Sequence, residues 1–162
     1  MDRESADRLV RAAIERLIAE QPELLSLDVS ERSLTHHLAN YIAASVGDGL
    51  NVDIEYNRHH SDPKRLKLSH RRSTDHELRA TTVFPDIVVH QRDSDRRNMI
   101  VLEVKKLGES LEYDQLKLEG FRDQLGYENA GHVVVGAASA GNPVFELTWL
   151  EGVHSGRPLR YT

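Results

Sequence analysis

The sequence predicts an α/β protein with a mixed central sheet and helices on both faces. Three observations carry that expectation. Residues 4–20 and 29–46 repeat apolar side chains at spacings of three and four, the period of amphipathic helices. Val83–Lys106 holds two β-branched runs around the polar stretch Gln-Arg-Asp-Ser-Asp-Arg-Arg, the pattern of a β-hairpin. A helical stretch at 111–125 then leads to an apolar run at 131–138, which fits a βαβ crossover.

The first helix carries Ala6, Leu9, Val10, Ala13, Ile14, Leu17 and Ile18, and Pro22 helps to stop it. The second carries Leu34, Leu38, Tyr41, Ile42 and Val46 and ends toward Gly47. Ser30, or Asp28 with Glu31 in a loose capping box, would start it. Glu31 heads the stripe through Leu34, Thr35 and Leu38, so it reads equally as a cap or as an acid facing the sheet.

Residues 51–58 alternate as a strand. Val52, Ile54 and Tyr56 take one face, and Asp53, Glu55 and Asn57 the other. Residues 59–80 lack apolar periodicity. They hold Lys64, Arg65, Lys67, Arg71, Arg72 and Arg79, and four of the nine histidines. This stretch reads as a solvated loop or as a basic arm for a phosphate backbone. After the hairpin, Leu111, Leu118, Phe121 and Leu125 form the stripe of the last helix. Asp114 falls inside it, with Lys117 beside it, and Gly126 ends it. The run 131–138 suits a strand buried on both faces, and a last strand is expected at 144–150.

Composition bounds the rest. At 162 residues, 39% hydrophobic and 29% charged, the chain suits one globular domain over 1–162. No run approaches the ~20 apolar residues of a membrane span. The N-terminus, Met-Asp-Arg-Glu-Ser, has no apolar secretory core. There is no cysteine, so disulfides and thiolate metal sites are excluded, and a cytoplasmic location is the default expectation. The net charge of −5 speaks against a general nucleic-acid coat but not against a nuclease, whose metal ligands are acidic.

The hairpin carries charges that a core strand should not have. Asp86 interrupts its first run, and Glu103 and Lys105 its second. With period two, Asp86, Val88 and His90 share a face, as do Val101, Glu103 and Lys105. If both sets point the same way, two carboxylates and an ammonium converge. Hard cations such as Mg²⁺ use a few carboxylates, waters and substrate phosphate oxygens. An ordinary ion pair on a sheet face is the alternative.

Pro85-Asp86, sixteen residues, then Glu103-Val104-Lys105 resembles the motif of the PD-(D/E)XK nuclease superfamily, on the second and third strands of its α-β-β-β-α-β core. The resemblance covers about 29–138 and implies a restriction-endonuclease-like fold with an extra N-terminal helix. Glu55-Tyr56-Asn57-Arg58, Pro85-Asp86-Ile87-Val88-Val89-His90, Glu103-Val104-Lys105-Lys106 and Asp114-Gln115-Leu116-Lys117-Leu118 are also similar to a bacterial and phage-associated group of uncharacterised small proteins.

The resemblance implies phosphodiester hydrolysis, in DNA before RNA, with Mg²⁺ or Mn²⁺. Asp86, Glu103 and the Val104 carbonyl would bind the metal. Lys105 would hold or help deprotonate the attacking water. Glu31 would serve a second metal or an outer water, and Glu55 is a further candidate ligand. Arg58, Lys64, Arg65, Lys67, Arg71 and Arg72 are the candidate nucleic-acid contacts. Cutting both strands would favour a homodimer, although no stretch names an interface.

A catalytically inactive nucleic-acid-binding or regulatory module is the main alternative, disfavoured because Asp86, Glu103 and Lys105 are all present. A zinc site on His59, His60, His70 and His76 lacks paired helical spacing and cysteine partners. His36 and His37 read as an ordinary helical pair, His90 as an ordinary hairpin-end residue before one that borders the site, and Trp149 as core rather than a dimer anchor.

Overall fold

A computed structural model describes residues 1–59, 62–63, 65–68, 80–94, 96–137 and 143–151. Helices α1 (Arg3–Glu20), α2 (Pro22–Ser26) and α3 (Glu31–Ala43) precede strand β1 (Asn51–Ile54). Four short strands follow: β2 (Arg58–His59), β3 (Asp62–Pro63), β4 (Arg65–Lys67) and β5 (Ala80–Thr82). Then come β6 (Ile87–His90), β7 (Asn98–Lys106), α4 (Glu112–Leu125), β8 (Asn129–Ala137) and β9 (Pro143–Trp149). Among the described residues, no helix is long and apolar enough to cross a membrane.

The main sheet runs β1-β6-β7-β8-β9. β7 and β8 are parallel, joined through α4, and every other pair is antiparallel. Ile87 lies opposite Leu102 and Val88 opposite Val101. That register assigns the faces. Ile87, Val89, Ile100, Leu102, Val104 and Val133 pack under α1 and α3. Val88, Val101 and Ala130 pack under Leu118 and Phe121 of α4. The α/β class with helices on both faces is therefore observed.

Several boundaries differ from expectation. Pro22 does stop α1, but it also opens α2, because a proline at the first helical position loses no hydrogen bond. Ser30 caps α3 through its hydroxyl to the Ser33 N–H, a contact worth about 1 kcal/mol. Asp28 does not cap. It takes a left-handed φ of 49° and binds Lys106 Nζ at 2.8 Å. α3 ends at Ala43, short of Gly47. β1 stops at Ile54 because Glu55 turns to a φ of 50°. The alternation breaks there, so Tyr56 joins the α4-side cluster and meets the His90 ring at 4.5 Å, whereas Val52 packs on the opposite side.

The basic stretch is not structureless where it is described. β4 pairs with β5, and Leu66 is fully buried against α4. The Lys67 backbone and the Gln124 side-chain amide exchange hydrogen bonds of 3.0 and 3.1 Å. An isolated leucine among lysines and arginines carries no periodicity, yet its burial contributes about 1.5–3 kcal/mol.

Trp149 belongs to the packing, as expected. Its indole N–H donates to Asp7 at 2.9 Å and ties α1 to β9. Gly131 faces it across the ladder. A Cβ at Gly131 would meet the Trp149 ring at 2.7 Å and the Thr148 carbonyl at 2.9 Å. Gly131→Ala should therefore cost about 1–3 kcal/mol, measurable in a urea melt. A variant as stable as the wild type would show that β9 shifts freely.

Candidate active site

Strand register answers the question left open by alternation. Because Ile87 opposes Leu102 and Val88 opposes Val101, Asp86 and Glu103 project from the same face, the one covered by α4. The Asp86 carboxylate accepts a 2.7 Å hydrogen bond from the Val104 N–H, which fixes its orientation. Glu103 is 1% exposed. Lys105 is on the same strand face, nearer the strand's end and partly exposed.

Three other elements bring charged groups to this point. From α4, the Lys117 Nζ lies 2.5 Å from Glu103 Oε2 and 3.6 Å from Asp114 Oδ1. From the start of α3, Glu31 Oε2 lies 3.4 Å from Lys105 Nζ, and its Oε1 accepts from the Lys106 N–H at 3.3 Å. Lys105 Nζ also lies 3.4 Å from Asp114 Oδ2. From β8, buried His132 is the register partner of Glu103, and its Nε2 meets Gln115 Oε1 at 3.2 Å.

The electrostatics show a pocket short of positive charge. Burial, then the nearby Asp86 carboxylate, pushes Glu103 well above the usual carboxylate range, against the pull of Lys117. Burial also raises Asp86, outweighing its hydrogen bond from Val104. Burial disfavours the Lys105 ammonium, but Asp114 and Glu31 outweigh it and hold its pKa above the ordinary value. Lys117 behaves likewise: burial is overcome by Glu103, with Asp86 and Asp114 adding to it. Burial lowers His132, which keeps its imidazole neutral at pH 7. Among the described residues, two buried side-chain atoms make no hydrogen bond, Glu103 Oε1 and His132 Nδ1.

These residues fit a hard cation. Mg²⁺ needs only one or two protein carboxylates and keeps several waters. Asp86 and Glu103 supply two carboxylates, both with raised proton affinity, and Glu103 Oε1 has an unused lone pair. Among the described residues, however, no group of three or more histidines and acids stands together as a metal-ligand cluster. The acids are instead engaged in ion pairs: Lys117 meets Glu103, and Lys105 lies between Glu31 and Asp114.

An open cleft of about 520 Å³ adjoins the site, with Glu31, Glu55, Asp86, Lys106 and Glu109 in its wall. Glu103 is not in that wall. Glu55 lines the cleft, and its carboxylate is held by Arg32 at 2.8 Å. The exposed Glu109 carboxyl is raised through its hydrogen bond to Glu31, a further sign that acids outnumber cations here. His90 lies elsewhere on the sheet, buried, with Nε2 3.0 Å from Asp53 Oδ2. His36 and His37 form an edge-to-face pair on α3.

The structure thus gathers Glu31, Asp86, Glu103 and Lys105, with the Val104 backbone between them. Arg58, Arg65 and Lys67 are exposed on the short strands. Lys64, Arg71 and Arg72 lie outside the described residues, as do His60, His70 and His76 of the zinc alternative. Lys117 and His132 were not expected as site residues. Asp114 inside an apolar helical stripe, with Lys117 beside it, was the signal for the first. A histidine within an otherwise apolar run was the only signal for the second.

The chain matches no protein-family model, no curated protein sequence and no solved structure.

Proposed function

We propose that this chain is a divalent-metal-dependent nuclease of the PD-(D/E)XK kind, acting on DNA. The observation that carries the reading is the pairing of Asp86 with Glu103 on one sheet face, buried and raised in proton affinity, with Lys105 two residues along. The order α3, β1, β6, β7, α4, β8, with β7 and β8 parallel, supports the restriction-endonuclease-like arrangement.

In this reading Asp86, Glu103 and the Val104 carbonyl hold Mg²⁺ or Mn²⁺. When bound, such a cation makes a water acidic and neutralises phosphate oxygens. The chain's own groups do the rest. The Val104 N–H keeps the Asp86 carboxylate aimed. Lys105 keeps its proton at neutral pH, so it acts by placing positive charge and a donor against the phosphate rather than as a base. Glu31 and Asp114 fix the Lys105 ammonium between them. Glu31 is thus a positioning residue for Lys105 before it is a ligand.

The test is cleavage of plasmid, single-stranded and branched DNA, and of RNA, by purified protein with Mn²⁺. Cleavage should require the metal and stop with chelator. Absence of cleavage on every substrate would favour the second reading, an inactive nucleic-acid-binding module. One observation speaks for that second reading: the Lys117 ammonium already holds one oxygen of Glu103.

The basic arm makes a separate prediction. β4 is anchored on α4, the helix that carries Asp114 and Lys117, and presents Arg65 and Lys67 outward. Replacing Arg65, Arg71 and Arg72 together with Ala should weaken DNA binding and flatten the log–log salt slope by about one per lost phosphate contact. An unchanged slope in a titration over salt would remove the arm from the interface.

A further inference from the structure

Lys117 has no assigned role in the proposed reaction. It is buried on α4 and faces three carboxylates. Glu103 Oε2 is 2.5 Å from its Nζ and Asp114 Oδ1 is 3.6 Å away, and Asp86 adds to the field at the ammonium. Glu103 therefore has one oxygen taken by an ammonium and the other buried without a partner. We propose that Lys117 is the resident cation of this pocket and that a divalent metal binds Glu103 only by displacing the Lys117 ammonium. The inference rests on the metal-site reading of Asp86 and Glu103.

The physical reason is charge crowding. Mg²⁺ sits about 2.0–2.1 Å from a carboxylate oxygen. An ammonium hydrogen-bonded to the same carboxylate would stand a few ångströms from it, in a buried setting that screens poorly. The two cations repel and share one ligand, so one must leave.

Lysine is suited to leaving, because its charge rides on a flexible four-carbon stem. A second position is at hand. Asp114 lies one turn back on α4, and the half-exposed Tyr113 ring has its centroid 6.0 Å from Nζ, within reach of a cation–π contact. The ammonium would exchange Glu103 for Asp114 and Tyr113 as the metal arrives. Lys117 then sets the metal concentration at which the site fills. It also keeps the two strand carboxylates from facing each other uncompensated when metal is scarce.

Calorimetric titration of the whole protein with Mn²⁺ tests this, comparing the wild type with Lys117→Met and Lys117→Arg. Lys117→Met should bind Mn²⁺ roughly 10- to 100-fold more tightly, the size of effect that neighbours of ligands have on metal affinity. Lys117→Arg keeps the charge in a fork that holds a carboxylate harder, and should bind Mn²⁺ no more tightly than the wild type. Lys117→Met should melt lower than the wild type without metal and regain more on adding Mn²⁺. Because that variant leaves Glu103 buried and unpaired, the wild type carries a parallel test. The NMR resonances of the Lys117 Cε and Nζ should shift in step with Mg²⁺ binding. If the wild type binds metal but neither the variant's affinity nor those resonances change, displacement is wrong and the metal site stands. If neither protein takes up Mn²⁺ at millimolar concentration, the metal-site reading fails and takes this inference with it.

Discussion

Lys105→Ala should lower metal-dependent cleavage by about 10²–10³-fold, the usual cost of removing one electrostatic stabiliser, and leave the melting temperature almost unchanged. Lys105 is partly exposed, and its partners Glu31 and Asp114 keep other contacts: Glu31 with the Lys106 N–H, Asp114 with Lys117. Its ion pairs therefore contribute little to stability, as pairs with access to water do. Glu103→Ala should reduce cleavage at least as much but behave differently in a melt. It strips the buried Lys117 ammonium of its nearest partner, and removing one member of a buried pair costs about 3–5 kcal/mol. The contrast separates a catalytic loss from a folding loss. Cleavage by Lys105→Ala at the wild-type rate, in a preparation that the Glu103 variant shows to be free of contaminating nuclease, would exclude Lys105 from the reaction.

Asp86→Asn should abolish Mn²⁺ binding and cleavage while making the metal-free protein more stable at neutral pH. The amide oxygen can still accept the Val104 N–H, so the 2.7 Å contact that orients the side chain survives in kind. What disappears is a buried negative charge beside Glu103. Asp86 and Glu103 both have folded-state pKa values raised by burial, and the Asp86 charge raises Glu103 further.

The sign of the pH dependence follows. A carboxyl with a raised folded pKa binds protons more readily in the folded chain. Its contribution is fully present below the unfolded value, about 4, and is lost as pH rises through the folded value. Asp86→Asn removes one such group and relaxes the other. The variant's advantage should thus be near zero around pH 4 and grow toward about 0.5–2 kcal/mol at neutral pH, the range of stabilising changes bought at the expense of function. Denaturant melts at both pH values measure it. A variant less stable than the wild type at neutral pH would mean that Asp86 is held as a structural anion, with no conflict in the pocket.

The two variants pull in opposite directions for one reason. The strand carboxylates, Asp86 and Glu103, are in excess of what the fold can neutralise, and Lys117 makes up only part of the difference. A divalent cation bound as proposed would relieve that excess.

Much of the fold was legible because it depends on local periods. The hairpin, the crossover helix and the parallel strand after it follow from alternation by two, repetition by three and four, and Gly126 at the helix end. The placement of Asp86, Glu103 and Lys105 on consecutive strands was legible for the same reason, since side-chain parity along a strand is a property of the chain alone. Parity does not say which residues of two strands stand opposite. The pairing of Ile87 with Leu102 decided that, and it is set by which apolar set is buried under α1 and α3.

Contacts between elements were not legible. Lys117 reaches Glu103 only because α4 is rotated so that Leu118 and Phe121 bury on the sheet, which turns its neighbours inward too. Glu31 reaches Lys105 because Ser30, not Asp28, caps α3 and starts the helix beside the end of β7. Tyr56 changed sides because one residue, Glu55, adopts a left-handed φ. Leu66 anchors a basic segment through a single buried side chain. The sequence by itself determined the elements and the acids they carry, because those follow from neighbours along the chain. The tertiary structure alone decided which cation faces which acid, because that depends on how whole apolar faces dock.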